Sequence, residues 1–257
     1  MSPHHQALLV GYTVALLGWL GTWRAYPTLW PARPTPSFSH PWRELAWALL
    51  MVVATIALGQ CYSLGYRLAV SGPLAPLVDA FDQLIIFSPF LLLPVIRRQG
   101  PETAWLPTDR VWQRLLVGMA LALLAVLAFT LVRTGSDPWL TVMSRVYRPK
   151  NVSMAVQVFL EDFAIAILFT RFQAVLGARL SIPAVALLFA IAHLPTLLAE
   201  GATSGQVLSL LLDAALAALV LIVLRRSQDI WWFWCVHFAM DMTQFCALLP
   251  TAPPPPA

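Results

Sequence analysis

Residues 115–132 read LLVGMALALLAVLAFTLV, an apolar run without a single charged side chain. Wound as an α-helix it rises about 27 Å, close to the ~30 Å hydrocarbon core of a bilayer. Extended back to Trp112, the run defines a membrane span at 112–132. Similar stretches recur at 6–23, 44–64, 74–96, 152–176, 181–199, 204–224 and 229–249. In lipid every backbone N–H and C=O must find its partner within the chain, so each stretch is read as a helix. The expected fold is all-α: a polytopic transmembrane helix bundle of about eight spans.

Composition leads to the same place. Of 257 residues 59% are hydrophobic and 11% charged, with a mean hydropathy of +0.73. One water-soluble core cannot hide that much apolar surface. The net charge of +4 comes from fifteen Arg and one Lys, set mostly in connectors. Such a pattern anchors and orients a chain in the bilayer, and no nucleic-acid partner is expected. Connectors one, three, five and seven, with adjacent helix ends, hold eleven basic residues against five on the other side, which places both termini outside the cytoplasm. The excess of Arg over Lys suggests GC-rich coding DNA, and so a multi-pass protein of a bacterial plasma (inner) membrane. Cys61, Cys235 and Cys246 are odd in number and show no CxxC spacing; they are read as small core residues. The chain is accordingly divided into N-terminal helices at 1–132, a connector at 133–151, four C-terminal spans at 152–249 and a Pro-rich tail at 250–257.

Ionisable side chains at a helix centre in lipid cost roughly 2.5–3.5 kcal/mol each on insertion scales, so each needs a partner, water or a function. Glu161 and Asp162 fall in the fifth expected span, His193 in the sixth, and His237 and Asp241 in the eighth. Counted at 1.5 Å per residue, Glu161 lies ~15 Å from one face, and His193, His237 and Asp241 lie ~12–18 Å from the other. These four therefore meet near the midplane. His237 and Asp241 share one helical face at spacing i, i+4, as do Phe189 and His193. Asp162 follows Glu161 directly and is expected to point elsewhere. Pro195 removes a backbone donor two residues after His193 and is expected to kink the sixth span there.

Such a set supports hydrolysis, in which a carboxylate takes a proton from water and a histidine holds that water while other polar groups steady the oxyanion. Glu161 is the candidate base. The same four residues, Glu161, His193, His237 and Asp241, also make a possible zinc ligand set, so the cofactor expectation is either none or Zn. Asp79, Asp82 and Asp213 suggest a different class, an ion-coupled transporter.

The order Glu161-Asp162, then Phe189-x-x-x-His193, then His237-x-x-x-Asp241 resembles the CPBP (ABI) intramembrane proteases, which include the type II CAAX prenyl endopeptidases. The resemblance covers roughly residues 150–249 and implies a CPBP-like four-helix catalytic core. It implies that Glu161 activates water with His193 as its partner, and that His237 and Asp241 serve as the oxyanion or metal-binding pair. It further implies an endopeptidase acting on a membrane-embedded or lipid-modified protein. Two positions depart from the family pattern. Asp162 stands where the family usually has Glu, and Ala166 stands where an Arg is expected five residues after Glu161. Arg171, one to two turns further on, is not an obvious replacement. Without that Arg, a non-catalytic scaffold or immunity-type protein of the same fold is the alternative.

Overall fold

A computed structural model describes residues 3–66, 70–135, 139–199 and 201–247. The Pro-rich tail lies outside them. Among the described residues ten α-helices follow one another: α1 Pro3–Ala25, α2 Pro41–Ser63, α3 Ala75–Ile86, α4 Ser88–Ile96, α5 Val111–Thr134, α6 Trp139–Val146, α7 Val152–Ala192, α8 Leu194–Ala199, α9 Ser204–Ser227 and α10 Ile230–Ala247. Short 3₁₀ turns occupy Pro101–Ala104 and Pro149–Asn151. The described residues contain no strand.

By length and hydropathy α1, α2, α5, α7 and α9 can each cross a membrane, and the pair α3–α4 would be a sixth crossing. The expected third span, 74–96, is this pair, bent by 50° at Phe87. Pro89 follows the bend and lacks the N–H that would continue the helix. The expected count of eight is not reached by this measure, for two physical reasons. α7 contains the residues of two expected spans, and α10 carries His237, Asp241 and Gln244, whose polarity lowers its hydropathy.

At 41 residues α7 would extend about 60 Å if straight, twice the bilayer core. Gly177 interrupts it with φ 74° and ψ 166°, a region essentially confined to glycine. The Ser181 hydroxyl donates to the Gly177 carbonyl at 2.7 Å, bracing the break. Residues from both sides of Gly177 line one cavity, so the chain doubles back into two arms, 152–176 and 178–192.

On the other side of the bundle α5 packs against both α1 and α10. Small residues make the close approach possible, as is usual where lipid supplies no hydrophobic drive between helices. A Cβ on Gly118 would lie 2.6 Å from the Trp232 carbonyl oxygen, and one on Gly11 would lie 2.6 Å from Met240 Cε. α1 runs antiparallel to α10: His4 lies beside Gln244, Gly11 meets Met240, and Trp19 stacks on Trp232 at 5.5 Å.

A polar clamp ties the connectors at one end. Arg114 and Asp229, both fully buried, pair at 2.7 Å. Trp30 Nε1 donates to the same Asp229 oxygen at 2.8 Å, and Arg114 also donates to Asp109 at 2.8 Å. Burial raises the Asp109 carboxyl, but the Arg114 and Arg33 guanidiniums hold it below its ordinary value.

Candidate active site

The first arm of α7 presents Gln157, Glu161 and Ile165 at helical spacing i, i+4, i+8 to a cavity of about 660 Å³. The second arm adds Val185, Phe189 and His193, and α10 adds Phe233, His237 and Asp241 at the same i, i+4, i+8 spacing. Leu8 and Tyr12 of α1 and Asp213 of α9 complete its polar and apolar wall. A second cavity of about 340 Å³ lies toward α2 and α4, and Gln157, Glu161, Phe189 and His193 line both.

Glu161, His237 and Asp241 each bring one ligand atom within 4.8 Å of the others, the group of this kind found among the described residues. Gln157 Nε2 donates to Glu161 Oε1 at 2.8 Å, and Gln244 Nε2 donates to Asp241 Oδ1 at 3.3 Å. The two carboxylates are thus each oriented by an amide one turn away on their own helix.

Asp162 does not point away, as the sequence spacing suggested. It is 2% exposed, and its Oδ1 accepts a hydrogen bond from His237 Nδ1 at 2.9 Å. The next position on a helix is turned by about 100°, and here α10 packs close enough to meet that direction as well as the Glu161 face. With Nδ1 committed to Asp162, His237 turns Nε2 toward Asp241 Oδ2, 3.6 Å away. A carboxylate fixing the far nitrogen of an imidazole is the arrangement that sets tautomer and ring orientation in both hydrolytic and metal sites. Phe233 stacks on the other face of the ring at 5.3 Å. The second Asp162 oxygen is buried without a hydrogen-bond partner.

His193 lies on the same wall but outside the Glu161, His237 and Asp241 group. The helix breaks at His193, between α7 and α8, where Pro195 was expected to kink it. Its Nδ1 bonds the Phe189 carbonyl at 2.8 Å. That carbonyl can only accept, so the proton is on Nδ1 and Nε2 remains for the cavity. Phe189 holds the ring edge-on at 4.6 Å.

Arg171 serves elsewhere. It is fully buried, donates to the Ile167 carbonyl at 2.9 Å and to the Thr103 carbonyl at 3.3 Å, and bonds Gln99. Gln99 in turn donates to Glu44 at 2.7 Å. Arg171 therefore ties α7 to the connector after α4 and lines neither cavity. Ala166 is packed in the apolar core. Of the acidic residues that suggested an ion path, Asp213 faces the first cavity, whereas Asp79 and Asp82 line neither. Cys235 is buried, its sulfur near the Leu115 and Trp231 carbonyls.

Sequence reasoning missed Gln157, Gln244 and Tyr12. The first two carried a legible signal, lying four residues before Glu161 and three after Asp241 on helices already assigned. Nothing in the sequence linked Tyr12 to residues more than a hundred positions later.

Residues 151–243 match the family model of the type II CAAX prenyl endopeptidase Rce1-like proteins. The match covers little more than a third of the chain and is a similarity of this segment, from the turn before α7 into α10, to the CAAX-type membrane proteases. No curated protein and no solved structure matches the chain.

Proposed function

We propose that this protein is an intramembrane endopeptidase that hydrolyses a peptide bond of a membrane-embedded or lipid-modified protein. The observation that carries the reading is the convergence of Glu161, His237 and Asp241 within 4.8 Å, on helices of the segment that matches the protease family. Glu161 takes a proton from water as the water oxygen attacks the scissile carbonyl carbon. The tetrahedral intermediate collapses with cleavage of the C–N bond, and Glu161 returns the proton to the leaving amine. His237, held by Asp162, and Asp241 flank the reacting carbon, and His193 faces it from the second arm. The catalytic core in this reading is the region 152–249, with the helices of 1–132 around it, in a bacterial plasma membrane.

The donor set also fits a divalent ion. Two carboxylates and one imidazole backed by Asp162 suit zinc, which would be held by Glu161, His237 and Asp241 and would lower the pKa of a bound water. The proton transfers assigned to Glu161 belong to the reading in which it is not itself a ligand.

The test is cleavage of a farnesylated peptide ending in Cys-aliphatic-aliphatic-X by the purified protein in lipid vesicles. Glu161→Gln and His237→Ala are expected to lower turnover at least ~100-fold while the protein accumulates normally. Undiminished cleavage by both variants would sink the reading. A non-catalytic scaffold is the second reading, favoured by one observation: Ala166, in the apolar core, replaces the expected Arg. Restoration of a deletion phenotype by Glu161→Gln would select it.

A further inference from the structure

The resemblance gave the oxyanion to His237 and Asp241, but an ionised carboxylate only accepts hydrogen bonds, and His237 already faces two of them. An oxyanion forming in a cavity walled by Glu161, Asp162, Asp213 and Asp241 needs a hydrogen-bond donor that is not already oriented toward a carboxylate. The Gln157 and Gln244 amides are turned to Glu161 and Asp241, and His237 faces Asp162 and Asp241 through its two nitrogens. The hydroxyl on the wall is that of Tyr12.

Tyr12 belongs to α1, far outside the segment that matches the family. Two contacts of α1 fix its position. Gly11, the preceding residue, is pressed against Met240, the residue preceding Asp241, so closely that a Cβ would stand 2.6 Å from Met240 Cε. One face of α1 carries His4, Leu8 and Tyr12 at spacing i, i+4, i+8. At the far end of that face His4 lies beside Gln244, the residue that holds Asp241. The α1 face therefore runs along the α10 face that bears His237, Asp241 and Gln244. Tyr12 is 6% exposed and lines the cavity together with all four acidic groups.

We propose that α1 completes the active site, with the Tyr12 hydroxyl donating a hydrogen bond to the substrate carbonyl oxygen as it gains negative charge. A phenol suits this role because its ordinary pKa near 10 keeps it protonated, and so a donor, at physiological pH. The assignment rests on the protease reading above, so its test needs one arm that does not depend on cleavage.

In the first arm the farnesylated Cys-aliphatic-aliphatic-X peptide is cleaved in vesicles by wild type and by Tyr12→Phe, which keeps the ring and removes the hydroxyl. The expected result is a fall in kcat of about 100-fold with KM within about threefold, the size seen when one oxyanion donor is removed. A kcat within twofold of wild type overturns the proposal. In the second arm 3-fluorotyrosine replaces Tyr12, and its ¹⁹F resonance is compared between wild type, Glu161→Gln and Asp241→Asn. A displaced resonance in both variants supports placement of the hydroxyl in the site, and an unmoved one overturns it. If wild type fails to cleave while the resonance moves, the hydroxyl keeps its place and the protease reading falls.

Discussion

Asp162→Asn tests the site at the point where structure and sequence reading diverge. The Asp162 Oδ1···His237 Nδ1 distance is 2.9 Å, and the two residues are 2% and 8% exposed, so water cannot replace the bond. A hydrogen bond to a charged group contributes about 1.5–3 kcal/mol. At 1.36 kcal/mol per decade of rate this predicts a loss in kcat of about 10- to 150-fold. The side-chain amide of asparagine can also turn its NH₂ toward the ring, which favours the opposite tautomer, with the proton on Nε2. Two measurements check this. Cleavage of the farnesylated peptide in vesicles, normalised to folded protein, gives kcat. The ¹⁵N shifts of labelled His237 give the tautomer directly, with Nδ1–H expected in the wild type and a shift toward Nε2–H in the variant. Unchanged kcat together with an unchanged tautomer would refute the reasoning.

Three further outcomes follow from the packing. Arg114→Met leaves Asp229 as an uncompensated buried charge and is expected to destabilise by about 3–5 kcal/mol, read as a lowered unfolding temperature in detergent. Gly118→Ala would press a methyl to 2.6 Å of the Trp232 backbone and should cost about 1–3 kcal/mol; Gly18→Ala meets only the movable end of Leu121 and should cost clearly less in the same assay. Gly177→Ala finds open space but a φ of 74°, so about 1–3 kcal/mol of backbone strain is expected without any new clash.

The membrane character, the helical class and most helix positions were legible because lipid imposes one rule on every span, and apolar length expresses it. α1, α2 and α5 begin and end within three residues of the sequence expectation. The α3–α4 bend was less legible, since hydropathy is blind to direction and Pro89 alone does not give an angle. Of the site, Glu161, His237 and Asp241 converge as helical spacing and depth implied. His193 shares their cavity yet sits apart, because the chain leaves its helix there. Asp162 was misjudged because position on a helix was treated as a direction without a width: where a neighbouring helix packs close, adjacent residues can serve one site. Tyr12 could not be found from sequence, since its tie to Asp241 runs through a glycine contact between helices at opposite ends of the chain.

The polarity of α10 bears on how the protein is made. Carrying His237, Asp241 and Gln244, it is not among the helices whose length and hydropathy alone suit a membrane crossing, yet Trp232, Val236, Ala239, Met240 and Thr243 are wholly enclosed by the bundle. It also leaves the ribosome after every other described helix. In the bundle Gly11 and Gly118 leave room for α10 on one side, and Asp162 meets it through His237 on the other. In the protease reading, Glu161 meets His237 and Asp241 only once α10 is in place.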